Sequence, residues 1–356
     1  MTDPAAGDRL AWVTWLRVLA ILGVVLIHTV GATAAGPGST TTVDGWVARV
    51  LDLSFVWAVP VFVMLSGLLS LDPSHFRGTA HYLRRRAWRL VPAVVVWNLV
   101  YVGYLALTRD GWWKGPRETL ALVLQGEVAP HLYFFWIVLG LSLLTPVLVP
   151  WVARASRREL VAGALVAYAV PVLSTWPLGP GGTPVGLTHV AWTWWLPYLG
   201  AYLAGRALRG VLLPRRLVPL AVVAVLGLCA LLSWQWRNPA APTWLEEWLG
   251  AHYYSPSVAV LSVLVLLLAQ TVVRPGGALA PLARPAATRL AGPVGSATLG
   301  IFGLHYLVLL VGVDTGVLGE PVASWPVLVL RAATVAVVTT VVVLALRRVP
   351  VVRAVL

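Results

Sequence analysis

With one cysteine in 356 residues, this chain can close no disulfide within itself. Cys229 sits in an apolar run and reads as a buried structural thiol. Acid is scarce too: 13 acidic residues face 26 basic ones, and charged residues make up 11% of the chain against 59% hydrophobic. So little charge excludes an ordinary soluble domain, and a mean hydropathy of +0.84 points to a polytopic membrane protein. No Asp or Glu falls well inside an apolar run. That counts against proton- or cation-coupled transport, which commonly uses intramembrane carboxylates. Low-complexity tracts are missing, as is any clear repeat of one half in the other. Lysine is nearly absent, and such arginine-rich, lysine-poor usage points to a bacterium with a GC-rich genome.

What is present is a series of apolar runs long enough to cross a bilayer, where about 17 to 25 residues suffice. Ten are read, over 11–33, 50–71, 87–107, 132–152, 159–177, 190–209, 217–236, 254–273, 294–313 and 325–346. The expected fold is all-α: one integral-membrane domain over 1–356, a polytopic bundle of about ten transmembrane helices. The segment 118–129 is too short to span and is expected at the interface. With the N-terminus inside, twenty of the 26 basic residues fall in cytoplasmic segments. The outer side keeps Arg49, Arg109, Lys114, Arg117, Arg237 and Arg331. This asymmetry predicts both termini cytoplasmic, and it accounts for the net charge of +13 without nucleic acid as a partner. The "ATA" at 32–34 resembles a signal-peptidase site. The apolar stretch before it is long, holds Arg17 and precedes further spans, so a retained first span is expected.

Polar residues inside such runs are costly and usually functional. In "WLRVLAILGVVLIHTV" (15–30), Arg17 and His28 stand eleven residues apart, which on a helix of 100° per residue puts them within roughly 20° on one face and about 16 Å apart along the axis. Alone, Arg17 reads equally as a snorkelling side chain and His28 as a hydrogen-bonded histidine. One polar cavity would accommodate both. In "HYLRRRAWRLVP" (81–92), Arg85, Arg86 and Arg89 crowd the start of the third run. They fit a topological anchor, but Arg86 and Arg89 are helix neighbours whose guanidinium forks suit phosphate oxygens. His131 opens the fourth run and His305 lies in the middle of the ninth. Ser66-Gly67 reads as a close helix contact. Thirteen of the 19 tryptophans lie near outer ends, as in an interfacial belt or, for a few, as apolar faces for a sugar ring.

Six segments in order resemble the integral-membrane acyltransferase 3 family, particularly its short surface-polysaccharide O-acetyltransferases. They are "WLRVLAILGVVLIHT", "VPVFVMLSGLL", "RRRAWRLVPAVVVWNLVY", "HLYFFWIVLGLSLLTPVL", "SATLGIFGLHYLVL" and "RRVPVVRAVL". Leu68 replaces the family's usual aromatic after "SG", and "HLY" replaces "HLW". No periplasmic esterase-like domain, as carried by longer members, is expected. The resemblance implies transfer of an acyl group, usually acetyl, from acyl-CoA to a hydroxyl of a cell-surface or lipid-linked carbohydrate in the cell membrane. It implies His28 as the catalytic position with Arg17 as its partner, and Arg86 and Arg89 as the Arg-x-x-Arg motif of the donor site. Arg85 joins that group by position. His131, His305 and Tyr306 are candidates for the acceptor or oxyanion side. Acyl-CoA is then a co-substrate, with no permanently bound cofactor and no metal expected. The partners are acyl-CoA, the carbohydrate or glycolipid acceptor, and membrane lipids. A transporter or flippase of a lipid-linked sugar is the alternative, and a noncatalytic scaffold a third reading.

Overall fold

In the computed structural model the described residues are 10–174, 189–350 and 352–356. Arg9 and the end of the fifth predicted span, 175–177, lie outside them. All regular structure among the described residues is helical: α1 (Ala11–Ala35), α2 (Val43–Leu53), α3 (Ala58–Ser70), α4 (Thr79–Thr108), α5 (Pro116–Gln125), α6 (Tyr133–Arg154), α7 (Arg157–Ser174), α8 (Leu199–Ala207), α9 (Val218–Gln235), α10 (Thr243–Leu249), α11 (Pro256–Val272), α12 (Pro285–Ser296), α13 (Thr298–Asp314) and α14 (Trp325–Leu346). Helix occupies part of every predicted span. Six stretches are long and apolar enough to cross a membrane: Ala11–Ala35, Val43–Ser70, Thr79–Thr108, Tyr133–Arg154, Arg215–Gln235 and Trp325–Leu346. The pair α12 and α13, bent by 59°, makes a seventh if it is one span, and α11 is a shorter apolar helix.

Some boundaries differ from expectation. The second stretch begins at Val43 rather than residue 50, because Thr42 caps it by accepting from the Gly45 amide. Asp52 therefore falls in the last turn of α2, inside the stretch Val43–Ser70. The third extends back to Thr79, so the arginine cluster rides on the first turns of α4. The sixth opens as turns over 190–195, rich in tryptophan, and becomes regular helix only at Leu199.

The chain divides into two compact units, Met1–Phe62 with Gly210–Arg348, and Val63–Arg209 with Val349–Leu356. In the first, α1 is the central element. Val30 and Ala34 pack with Ala48 and Leu328, and Val25 packs with Leu309 and Val335. Gly23 lets the Phe55 ring, in the break between α2 and α3, lie directly on α1, where a Cβ would overlap it. The Trp15 indole donates to the Leu282 carbonyl at 2.8 Å, and Thr33 Oγ1 accepts from the Ala323 amide at 3.2 Å. Two buried arginines tie down helix and loop ends. Arg49 donates to the carbonyls of Ser233 and Trp234 in the last turn of α9, and Arg331 to those of Glu320 and Pro321.

In the second unit, α3 and α8 cross at backbone contact. A Cβ on Gly67 would overlap the Tyr202 carbonyl, and one on Gly205 the Met64 carbonyl. This is the close helix contact expected at Ser66-Gly67. Since the obstructing atoms are main chain, neither can swing aside. Gly67→Ala and Gly205→Ala should each cost at least about 1–3 kcal/mol, the usual penalty of overpacking. Thermal unfolding of the detergent-solubilised protein checks this. Gly103→Ala, where a Cβ meets nothing, should leave the midpoint in place.

Candidate active site

The first unit carries a cluster of three rings. His28 lies on α1, and His305 and Tyr306 are neighbours on α13. The ring centroids of His28 and His305 are 5.2 Å apart and those of His28 and Tyr306 5.4 Å, the latter edge to face. His305 and Tyr306 stand 6.5 Å apart. At the first distance the two imidazoles are in ring contact, tilted by 42°. His305 is fully buried, and its Nδ1 lies 2.7 Å from the Phe302 carbonyl and 3.2 Å from that of Ile301. A carbonyl can only accept, so Nδ1 is the donor, and in the neutral ring Nε2 holds the lone pair. Tyr306 packs beside the cluster of Val25, Leu309 and Val335, which fixes its ring next to α1.

Arg17 and His28 share the unbroken helix α1, and both are half-buried. Leu19 and Leu22, exposed by 46% and 43%, mark the opposite side of the helix as its lipid face. The structure thus brings His28, His305 and Tyr306 together, with Arg17 eleven residues back along the same wall.

His131 and the arginine group belong to the second unit. His131 is buried, edge to face against Tyr101 with centroids 5.0 Å apart. Arg85 and Arg89 are exposed on α4. Arg86 instead faces inward. Its guanidinium donates to Ser70 Oγ, and its Nε donates to the Tyr82 hydroxyl at 3.2 Å, with the Tyr82 ring 5.4 Å beneath it. Tyr82 donates in turn to Thr145 Oγ1 at 3.1 Å, which also meets the Tyr202 hydroxyl at 2.7 Å and donates to the Leu141 carbonyl. Ser66, Ser70, Ser142, Tyr202 and Arg86 line a cavity of about 10 Å³, at the lower limit for one water. Arg86 thus joins α3, α4, α6 and α8 through neutral hydroxyls. Sequence reasoning missed this network, because its members come from four separate runs.

Also missed was Asp72, just beyond the end of α3. Its carboxylate is nearly buried and pairs with Arg209, with Arg206 at 3.7 Å and with His75 at 3.5 Å. It also accepts from the Ser74 hydroxyl at 2.8 Å and the Ser74 amide at 3.2 Å. The one available signal was a lone acid placed between an apolar run and a basic segment.

A family model described as an acyltransferase domain, acyltransferase 3, matches residues 10–347. No curated protein and no solved structure matches the chain.

Burial alone would push the Asp72 carboxyl up. The hydrogen bond from Arg209, those from Ser74 and the Arg209 charge outweigh it and lower the pKa from 3.8 to about 2. A depressed carboxyl contributes stability that is whole above its unfolded value and lost as pH falls through the folded one. Unfolding midpoints should therefore drop between about pH 4 and pH 2 more steeply in the native protein than in Asp72→Asn, and the two should converge near pH 2. Parallel curves would remove Asp72 from the acid response.

Proposed function

Because the chain belongs to this acyltransferase family, we propose that it moves an acetyl group from acetyl-CoA to a hydroxyl of a cell-surface or lipid-linked carbohydrate. At the coarser level it is a multi-pass membrane acyltransferase, a transferase of groups other than aminoacyl groups. The observation that carries the reaction chemistry is the pairing of His28 with His305, whose tautomer is set by its bond to the Phe302 carbonyl.

Neutral His28 takes the proton of the acceptor hydroxyl as that oxygen bonds to the thioester carbonyl carbon. The carbon–sulfur bond then breaks, and the imidazolium returns the proton to the departing thiolate. His305 Nε2, held as an acceptor, suits the orientation of His28 and the stabilisation of its imidazolium. While neutral it cannot donate from that nitrogen to an oxyanion, so of the two α13 candidates Tyr306 is the better oxyanion donor. Donor phosphates are assigned to exposed Arg85 and Arg89, with Arg17 as a further cation on the His28 helix. Arg86, already engaged with Ser70 and Tyr82, holds the start of α4 in place. His131 remains on the acceptor side of the proposal. The excess of arginine in cytoplasmic segments supports acyl-CoA arriving from that side. The arginine-rich usage supports a bacterial cytoplasmic membrane as its home, with the carbohydrate beyond it.

The test is incubation of purified protein with acetyl-CoA and candidate glycans, read by mass spectrometry of the glycan. Acetylated glycan is expected. Movement of a sugar lipid without acyl-CoA consumption would favour a transporter. His28→Ala should lower transfer by about 10²–10⁴-fold or more, the usual contribution of a general base, while the protein still folds and inserts. Arg89→Ala should raise the donor KM roughly tenfold to a hundredfold, since a charge-assisted phosphate contact is worth about 1.5–3 kcal/mol. Lysine at 89 should rescue only in part, because it lacks the guanidinium fork.

A further inference from the structure

On the His28 wall, one turn toward the outer end of α1, stands Gly31. A Cβ built there meets no atom of the described residues within 4 Å, so among them the space beside it is open. Many glycines in a membrane bundle meet nothing because they face lipid, and Gly227 on α9 is one, exposed among exposed Val223 and Leu226. Gly31 is different. Nine residues separate it from exposed Leu22, which at 100° per residue sets the two on opposite sides of α1. Three residues separate it from His28, so the two are helix neighbours. Arg17, fourteen residues back, lies within about 40° of the same line. The open volume therefore belongs to the half-buried wall that carries Arg17 and His28, not to the lipid face.

The geometry points to Gly31 as the residue that sets how long an acyl chain the enzyme transfers. The inference rests on the acyl-transfer reading of His28. A donor whose phosphates are held on the cytoplasmic side presents its thioester carbonyl at His28, and the acyl chain is the part that extends beyond it. Room for that chain must be found one turn further out. A missing side chain supplies it, and because even a Cβ there would touch nothing, the room exceeds a methyl group. The enzyme should accept propionyl- and butyryl-CoA as well as acetyl-CoA, with residue 31 setting the limit.

The experiment measures kcat/KM for acetyl-, propionyl- and butyryl-CoA with one glycan acceptor, in the native protein, Gly31→Ala, Gly31→Val and Gly227→Val. Native protein should use butyryl-CoA within about tenfold of acetyl-CoA. The butyryl-to-acetyl ratio should fall at least about tenfold in Gly31→Val, the discrimination expected from misfitting a methylene or two. It should fall by less in Gly31→Ala, whose added methyl has space and so keeps the question answerable if valine prevents folding. Gly227→Val should leave the ratio as it is. Native protein that refuses propionyl- and butyryl-CoA, or a Gly31 series that lowers all three donors equally, would overturn the inference. Full activity in His28→Ala would instead overturn the acyl-transfer reading beneath it.

Discussion

A hydrogen-bond donor enclosed by apolar helices must find an acceptor, and in this protein most of the polar architecture follows from that requirement. Arg49 and Arg331 meet it at their terminal guanidinium nitrogens, though not at Nε, with carbonyls left open at a helix end and in the turn before α14. Each thereby fastens a loop or helix end that apolar packing alone would leave loose. Arg237, though exposed, also caps a helix end, that of α1. It adopts a left-handed backbone conformation, φ 52°, donates to the Ala35 carbonyl at 3.0 Å and brings its charge toward Asp52. Arg86 meets the requirement with hydroxyls, drawing Ser70, Tyr82, Thr145 and Tyr202 into one network.

The same requirement shapes the histidine pair. His305 spends Nδ1 on its own helix, which settles its tautomer and leaves Nε2 as the basic nitrogen. The partner ring is held by the packing of α1, which is fixed at several levels. Gly295 of α12 comes against Thr14, Phe55 lies on Gly23, and Val25 meets Leu309 and Val335 around the level of His28. The 59° bend between α12 and α13 lets one stretch of chain touch α1 both near Thr14 and near His28. A site built between rigid helices in this way needs no loop to complete its geometry.

Much of this was legible in the sequence, for reasons of period and polarity. Each of the ten apolar runs contains helix, and six or seven stretches are long and apolar enough to span. The eleven-residue spacing of Arg17 and His28 placed them on one wall, and a lone histidine in "LGIFGLHYLVLL" marked the opposing helix. What stayed hidden depends on contacts far apart in the chain. Arg49 reads as an outer topological charge until Ser233 and Trp234 are brought to it, and Asp72 reads as a loop acid until Arg209 arrives. Arg86 and Arg89 look equivalent at three-residue spacing, yet one turns inward to Ser70 while the other is exposed. The short sixth helix was overread because its tryptophan-rich beginning is apolar enough to span but folds as turns. Hydropathy reports the solvent a segment prefers, not the backbone conformation it takes.

The central claim is that His28 serves donor and acceptor drawn from opposite sides of one membrane, and sealed inside-out vesicles test it most directly. Acetyl-CoA supplied outside such vesicles should acetylate a glycan trapped in the lumen, and acetyl-CoA confined to the lumen should not. Acetylation only when both substrates share the cytoplasmic face would contradict the account.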